Sequence, residues 1–460
     1  MLDRAFEKYR EPSITHRRFK HADIEPLILK RKGTKLFKVD SLGASVQGRA
    51  IYELSYGQGD KKVMLWSQMH GNEPTATMAL MDLFNFLEGH GDGFDSIRKL
   101  LRTKTELHFI PMVNPDGTEI FNRRNAMDID LNRDARATMT PEGKLLKGAA
   151  ERIKPAYGFN LHDHNIYHNV PGTAQPTTIS LLAPAYNYER EVNDVRRGAM
   201  QLIVGMNRLL QSYIPGGVAR YDDTHTPRGF GDNFQKWGAS TVLIESGAYK
   251  GDPEKQYIRK LNFMIILNAL LEIASSSYTQ YDAAEYEKIP FNDSRLSDLM
   301  IRGLRYQINS TKYTMDVAIR RDEYTTDSGL YYVRSHMEDI GDLLDDFGYV
   351  ELKAEGLEFM GGKVYPSAFP NINALSRVKA IELLRQGFYA AKLLTMPSNR
   401  HHNIPLLLFN KGSLPGASLH LGSEANFFLA RNGKPVYAVI NGYLIDLSKE
   451  PTDEYRNYVQ

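Results

Sequence analysis

His70 and Glu73 stand three residues apart in Leu65-Trp66-Ser67-Gln68-Met69-His70-Gly71-Asn72-Glu73-Pro74. An imidazole and a carboxylate at this spacing, where an apolar run turns into a helix, can grip one divalent metal. A third ligand further along would complete an open catalytic zinc site. The spacing alone carries little weight, since about one His-x-x-Glu is expected by chance in a chain of this length and composition. His162 adds to it, because it too follows an apolar run, in Asn160-Leu161-His162-Asp163-His164. Three such ligands leave one position open for water. Glu245 directly follows the apolar run 240–244, so its carboxylate is expected to be partly desolvated, with a pKa raised toward the range of a general base. A fourth segment, 124–133, packs acid, amide and guanidinium groups into RNAMDIDLNR.

These groups can act together only if the fold brings them together. From about residue 35 to 275, short apolar runs (62–69, 107–113, 157–161, 179–182, 240–244) alternate with segments of helical period (75–87, 199–213, 255–273). That alternation predicts an α/β domain with a mixed, mostly parallel central sheet flanked by helices. In such sheets the carboxyl ends of the strands converge on one crevice, and every residue singled out above follows a predicted strand. Pro74 stands where the first helix would begin, and Asn114-Pro115-Asp116-Gly117 reads as a turn. Beyond residue 275 the texture changes to YTMDVAIRR and GKPVYAVINGYLIDL, read as antiparallel strands. The expected organisation is an N-terminal extension over 1–40, a catalytic domain over 41–275, a linker over 276–294 and a mainly β accessory domain over 295–460.

Composition narrows the chemistry further. Lys plus Arg (57) nearly balances Asp plus Glu (55), so no basic field for nucleic acid is implied. With no cysteine in 460 residues, thiolate metal sites, disulfides and Cys nucleophiles are excluded. No apolar run approaches the roughly 18 residues of a membrane span, so no membrane partner is expected. The first residues, MLDRAFEKYREPSITHRRFKH, lack the apolar core of a signal peptide, and a cytoplasmic location is the expectation.

Several motifs in one order carry a family resemblance. Gly43-Ala44-Ser45-Val46-Gln47-Gly48-Arg49-Ala50-Ile51 is followed by His-Gly-Asn-Glu at 70–73 and Asn-Pro-Asp-Gly at 114–117. Arg-Asn-Ala at 124–126, Asp-Leu-Asn-Arg at 130–133, Leu-His-Asp at 161–163 and Ile-Glu-Ser-Gly at 244–247 complete the series. Over roughly 40–275 the chain resembles the zinc carboxypeptidases of the carboxypeptidase A type, in a compact bacterial-type form. The resemblance implies one zinc ion held by His70, Glu73 and His162. Asp130 would accept a hydrogen bond from the far nitrogen of His70. It implies Asn132 and Arg133 as holders of the substrate's terminal carboxylate, and Glu245 as the base that passes a proton to the leaving amine. Arg124, preferred to its neighbour Arg123 on its spacing to Asp130, would stabilise the oxyanion. Tyr221 is the counterpart, out of register, of a tyrosine that covers substrate.

The implied activity is zinc-dependent cleavage of the C-terminal amide bond of a peptide or peptide-like substrate. The alternatives are a deacylase or amidase acting on acyl-amino acids or cell-wall peptides, and a catalytically inactive binding module on the same scaffold. His164, His168 and His225 read as polar loop residues rather than pocket or second-metal groups, and His401-His402 as a solvated loop.

Overall fold

The computed structural model describes residues 1–326, 329–412, 414, 416–450 and 454–460. It divides into two compact units, Met1–Ser294 and Arg295–Gln460.

The first unit is built on eight strands: β1 (Phe37–Ala44), β2 (Ala50–Tyr56), β3 (Lys61–Ser67), β4 (Thr105–Ile110), β5 (Tyr157–Asp163), β6 (Ile179–Leu182), β7 (Val218–Arg220) and β8 (Ser240–Ser246). They form one sheet in the order β1-β2-β4-β3-β5-β8-β6-β7. The four central strands, β4, β3, β5 and β8, run parallel. The β1–β2, β2–β4 and β6–β8 pairs are antiparallel, and β6–β7 is parallel. This is the mixed sheet that the alternation of runs predicts. Central strands need apolar side chains on both faces, and Val63, Met64, Leu65 and Trp66 of β3 are all fully buried.

Helices cover both faces: α1 (Leu2–Tyr9), α2 (His21–Leu29), α3 (Thr75–Glu88), α4 (Asp95–Lys104), α5 (Pro115–Glu119), α6 (Pro141–Ile153), α7 (Asp194–Leu210), α8 (Phe230–Lys236) and α9 (Gln256–Ser275). Long α9 and α3 pack on one face with α1, α4 and α7, burying Phe84, Phe86, Phe263 and Leu267. On the opposite face Trp66, Phe230 and Phe234 join the apolar side of α6. Trp66 stacks on Phe234 at 4.0 Å.

Residues 1–40, read from sequence as an extension, belong to this core. Leu2, Phe6, Ile14, Phe19, Ile24 and Ile28 are buried in it. A buried ion pair explains why they stay there. Arg259 of α9 donates from Nε to Asp82 of α3 at 2.7 Å, and its other nitrogens donate to the carbonyls of Ile14 (2.6 Å) and Glu11 (2.9 Å). A buried guanidinium must have such partners, and here two of them come from the N-terminal segment. The stretch 276–294 is also docked on the first unit. Asn292 N and Arg220 N exchange hydrogen bonds with Arg220 O and Pro290 O, extending the edge at β7.

The second unit is mainly β, in keeping with its texture. Its largest sheet runs, neighbour to neighbour, through Tyr331–Gly341, Thr311–Thr325, Leu296–Ile308, Glu358–Met360, Phe427–Arg431, Lys434–Ile440 and Tyr443–Asp446. Arg377–Arg385 is a helix against a second apolar cluster. The expectation of a solvated loop at His401-His402 is corrected. The pair forms a short strand against Asn457–Tyr458, and His402 is buried, with its pKa pushed down to about 4 by that burial. Among the described residues no helix is long and apolar enough to cross a membrane.

Candidate active site

β3 ends at Ser67, and the chain turns through Gln68, whose φ of 51° is left-handed, into the loop that carries His70 and Glu73. This loop lies directly on the start of α5. A Cβ placed on Gly71 would come within 2.0 Å of the Gly117 backbone, so only glycine permits the approach. Thr75 then begins α3, which fixes Glu73 just ahead of the helix.

β5 runs parallel beside β3 and carries His162 near its carboxyl end. His162 Nδ1 lies 2.6 Å from Glu73 Oε2, and His70 Nδ1 lies 2.7 Å from Glu73 Oε1. The ligand atoms of His70, Glu73 and His162 fall within 4.8 Å of one another, the only such cluster among the described residues. Two neutral imidazole nitrogens and one carboxylate are a donor set suited to zinc. All three side chains are buried, so a bound ion would be shielded from competing waters on the protein side. The residues present therefore fit zinc.

The far side of His70 is held as well. Its Nε2 lies 3.0 Å from Asp130 Oδ1, which aims Nδ1 at the cluster. Asp130 also caps the short turn Leu131–Arg133 by accepting from Asn132 N at 2.9 Å. Both functions use the same oxygen. Replacing Asp130 by Ala is expected to weaken zinc binding by about 10–100-fold, measured by chelator competition.

Electrostatics divide the two histidines. Burial disfavours the His70 cation, but Glu73 and Asp130 outweigh it and raise its pKa. Burial dominates at His162 and lowers its pKa despite Glu73. Glu73 itself is held below the usual carboxylate range, because the two imidazoles overcome the effect of its burial.

Glu245 is the residue opposite His162 across the β5–β8 ladder. Desolvation, and then the charges of Glu73 and Asp163, push its pKa well above the ordinary carboxylate value. Tyr221, just after β7, is influenced by the same carboxylates. Burial, Glu245 and Glu73 push its pKa up to about 12, so it carries its proton at neutral pH. Its ring lies 5.7 Å from His168, which stacks on His164 at 4.7 Å. His164 is buried rather than a loop residue in solvent. Burial, reinforced by His168, pushes its pKa down to about 3. His225 lies apart from that pair, 3.1 Å from Asp232 Oδ1.

The arginines require a correction. Arg124 points away, its Nη1 donating to the Asp128 carbonyl at 2.8 Å. Arg123 enters the cluster instead. It donates to Glu73 Oε1 at 3.2 Å and Asp130 Oδ2 at 3.0 Å, and its Nη1 is 3.1 Å from His70 Nδ1. The reason lies in the following turn. Asn125 Oδ1 accepts from Met127 N and Ile129 N, and Asp128 adopts a left-handed φ of 58°. That tight loop turns adjacent side chains to opposite sides.

Asn132 reaches the site through Nδ2, 3.4 Å from His162 Nε2, while its Oδ1 accepts from Phe230 N at 2.9 Å. Arg133 is exposed at the rim, where its Nη1 donates to the Asn132 carbonyl.

Residues 29–170 match the zinc carboxypeptidase family, a stretch that holds His70, Glu73, Asp130 and His162. Carboxypeptidase D of Rattus norvegicus is 25% identical over 311 residues, covering 54% of this chain and 22% of that protein. The human carboxypeptidase N catalytic chain is 28% identical over 143 residues, 26% of this chain and 31% of that protein. The chain thus spans less than a third of either relative. A metallo-carboxypeptidase structure from Burkholderia cenocepacia aligns with a TM-score of 0.46 and 17% identity, covering 56% of this chain and 70% of that one. Within its N-terminal unit, residues 29–170 of this chain thus carry the likeness to the zinc carboxypeptidase family.

Proposed function

We propose that the protein is a zinc-dependent hydrolase that releases residues from the C-terminus of a peptide or peptide-like substrate. The observation that carries this reading is the meeting of three zinc-type ligands with a carboxylate of raised pKa on the adjoining strand. The names of its relatives, carboxypeptidase D and carboxypeptidase N, support it.

His70, Glu73 and His162 would hold the ion. When bound, zinc supplies Lewis acidity, acidifying water and polarising a carbonyl oxygen. Glu245, its proton affinity raised by burial and by the Glu73 and Asp163 carboxylates, takes the proton of the attacking water and returns it to the leaving amine. Arg123 sets a guanidinium against the oxygen on which negative charge develops. Arg133 at the rim, with Asn132 beside it, would receive the substrate's terminal carboxylate by charge-assisted hydrogen bonds. Tyr221, protonated, offers a hydrogen-bond donor on the Glu245 flank.

The test compares a panel of peptides with a panel of N-acyl amino acids, with and without chelator. Release of single C-terminal residues that stops on chelation and returns with zinc is expected. Turnover confined to acyl-amino acids would replace this reading with a deacylase. Failure of the purified protein to take up stoichiometric zinc would replace it with a binding module.

A further inference from the structure

Two buried charged side chains beside the site take no chemical step above, although one of them, Asp163, contributes to the raised pKa of Glu245. Asp163 follows His162, and Lys255 precedes α9, each less than a tenth exposed. Lys255 Nζ donates to Asp163 Oδ2 at 3.0 Å and to the Ser246 carbonyl at 2.9 Å. Thr75 Oγ1 donates to the same Asp163 oxygen at 2.6 Å. The backbone N–H of Asp163 donates to Glu73 Oε2 at 3.2 Å, the oxygen that faces His162.

Each residue tied to Lys255 in this knot, directly or through Asp163, is a near neighbour of a residue of the site. Thr75 lies two positions after Glu73, Asp163 one after His162, and Ser246 one after Glu245. Three segments far apart in sequence are therefore tied together, the Asp163 and Ser246 segments at the buried ammonium and Thr75 through the Asp163 carboxylate. Lys255 reaches it at a cost in backbone conformation, with a left-handed φ of 53° that a non-glycine residue seldom adopts. Such strain persists where the surroundings demand it. A lysine free to leave would relax to an ordinary backbone and a hydrated ammonium.

We infer that Lys255 and Asp163 are positioning residues: their buried ion pair, with Thr75, holds Glu73, His162 and Glu245 in mutual register. The role assigned to Glu245 rests on the function proposed above, whereas the effect on metal binding does not. Lys255 is not among the zinc-type ligands. Its loss leaves the Asp163 carboxylate buried without its counter-charge, and the ends of β5 and β8 without their common tie. Substrate binding at the Arg133 rim would be little changed.

The experiment measures zinc affinity without substrate, and kcat and KM with it, for full-length wild type, Lys255→Met and the neutral pair Asp163→Asn/Lys255→Met. Lys255→Met is expected to weaken zinc binding about tenfold or more, in line with other losses of support to metal ligands. It should also lower kcat at least about tenfold, with KM within about twofold. Should the single variant fail to fold, the neutral pair removes the unpaired charge, and the same losses are expected in it. A folded variant with lowered Tm but wild-type zinc affinity and kcat would overturn the inference, showing that the knot serves stability alone. Wild type that binds zinc but cleaves no peptide would count against the proposed function, while the zinc affinities would still test the knot.

Discussion

Replacing Glu245 by Gln is expected to lower kcat by roughly 10²–10⁴-fold, the usual contribution of a general base, while one zinc per chain is retained. The substitution keeps the shape of the side chain and removes its ability to take a proton. Zinc retention follows because the ligand cluster consists of His70, Glu73 and His162 alone. The pH profile supplies a second readout. A base works only when ionised, so activity falls as pH drops through its pKa. Burial and the neighbouring carboxylates Glu73 and Asp163 push that pKa above the ordinary carboxylate range. An acid limb of kcat/KM is expected in wild type and should be absent from the residual activity of the variant. A Glu245→Gln enzyme with near-normal kcat would show that another group is the base.

Arg123→Ala is expected to cost about 10²–10³-fold in kcat, the typical loss when one donor to a developing oxyanion is removed. Arg124→Ala is expected to stay within about twofold of wild type, as exposed substitutions away from a site usually do. The contrast is informative because both variants lose the same charge one residue apart. Arg123 also touches Glu73 and Asp130, so zinc content must be measured alongside kinetics. A fall in kcat at full zinc occupancy supports the electrostatic role. Equal effects of the two variants, or a larger loss in Arg124→Ala, would return the role to Arg124.

Those two arginines mark a boundary of what the chain's order of residues conveys. Neighbours in sequence share composition, charge and spacing to Asp130 almost equally. The turn at 125–129, with Asn125 bracing it and Asp128 left-handed, decides which one turns inward. The same holds for the N-terminal forty residues. They read from sequence as an extension, but Arg259, more than 240 residues away, takes the carbonyls of Glu11 and Ile14 as partners and draws the segment into the core. His402, flanked by polar residues, is buried through pairing with a strand at the very end of the chain. The last two depend on partners distant in sequence, which local patterning does not register.

The donor types, their placement after apolar runs, and an α/β scaffold whose strand ends point one way were legible in the order of residues alone. Metal chemistry admits few residue types, and buried strands admit few polar ones, so both leave marks along the chain. Folding in three dimensions was needed to settle that His70 and His162 turn their Nδ1 atoms onto the two oxygens of Glu73, that Arg123 and not Arg124 stands beside them, and that Lys255 ties the ends of β5 and β8 together. Those outcomes depend on side-chain direction and on contacts between remote segments, which are set when the backbone closes on itself.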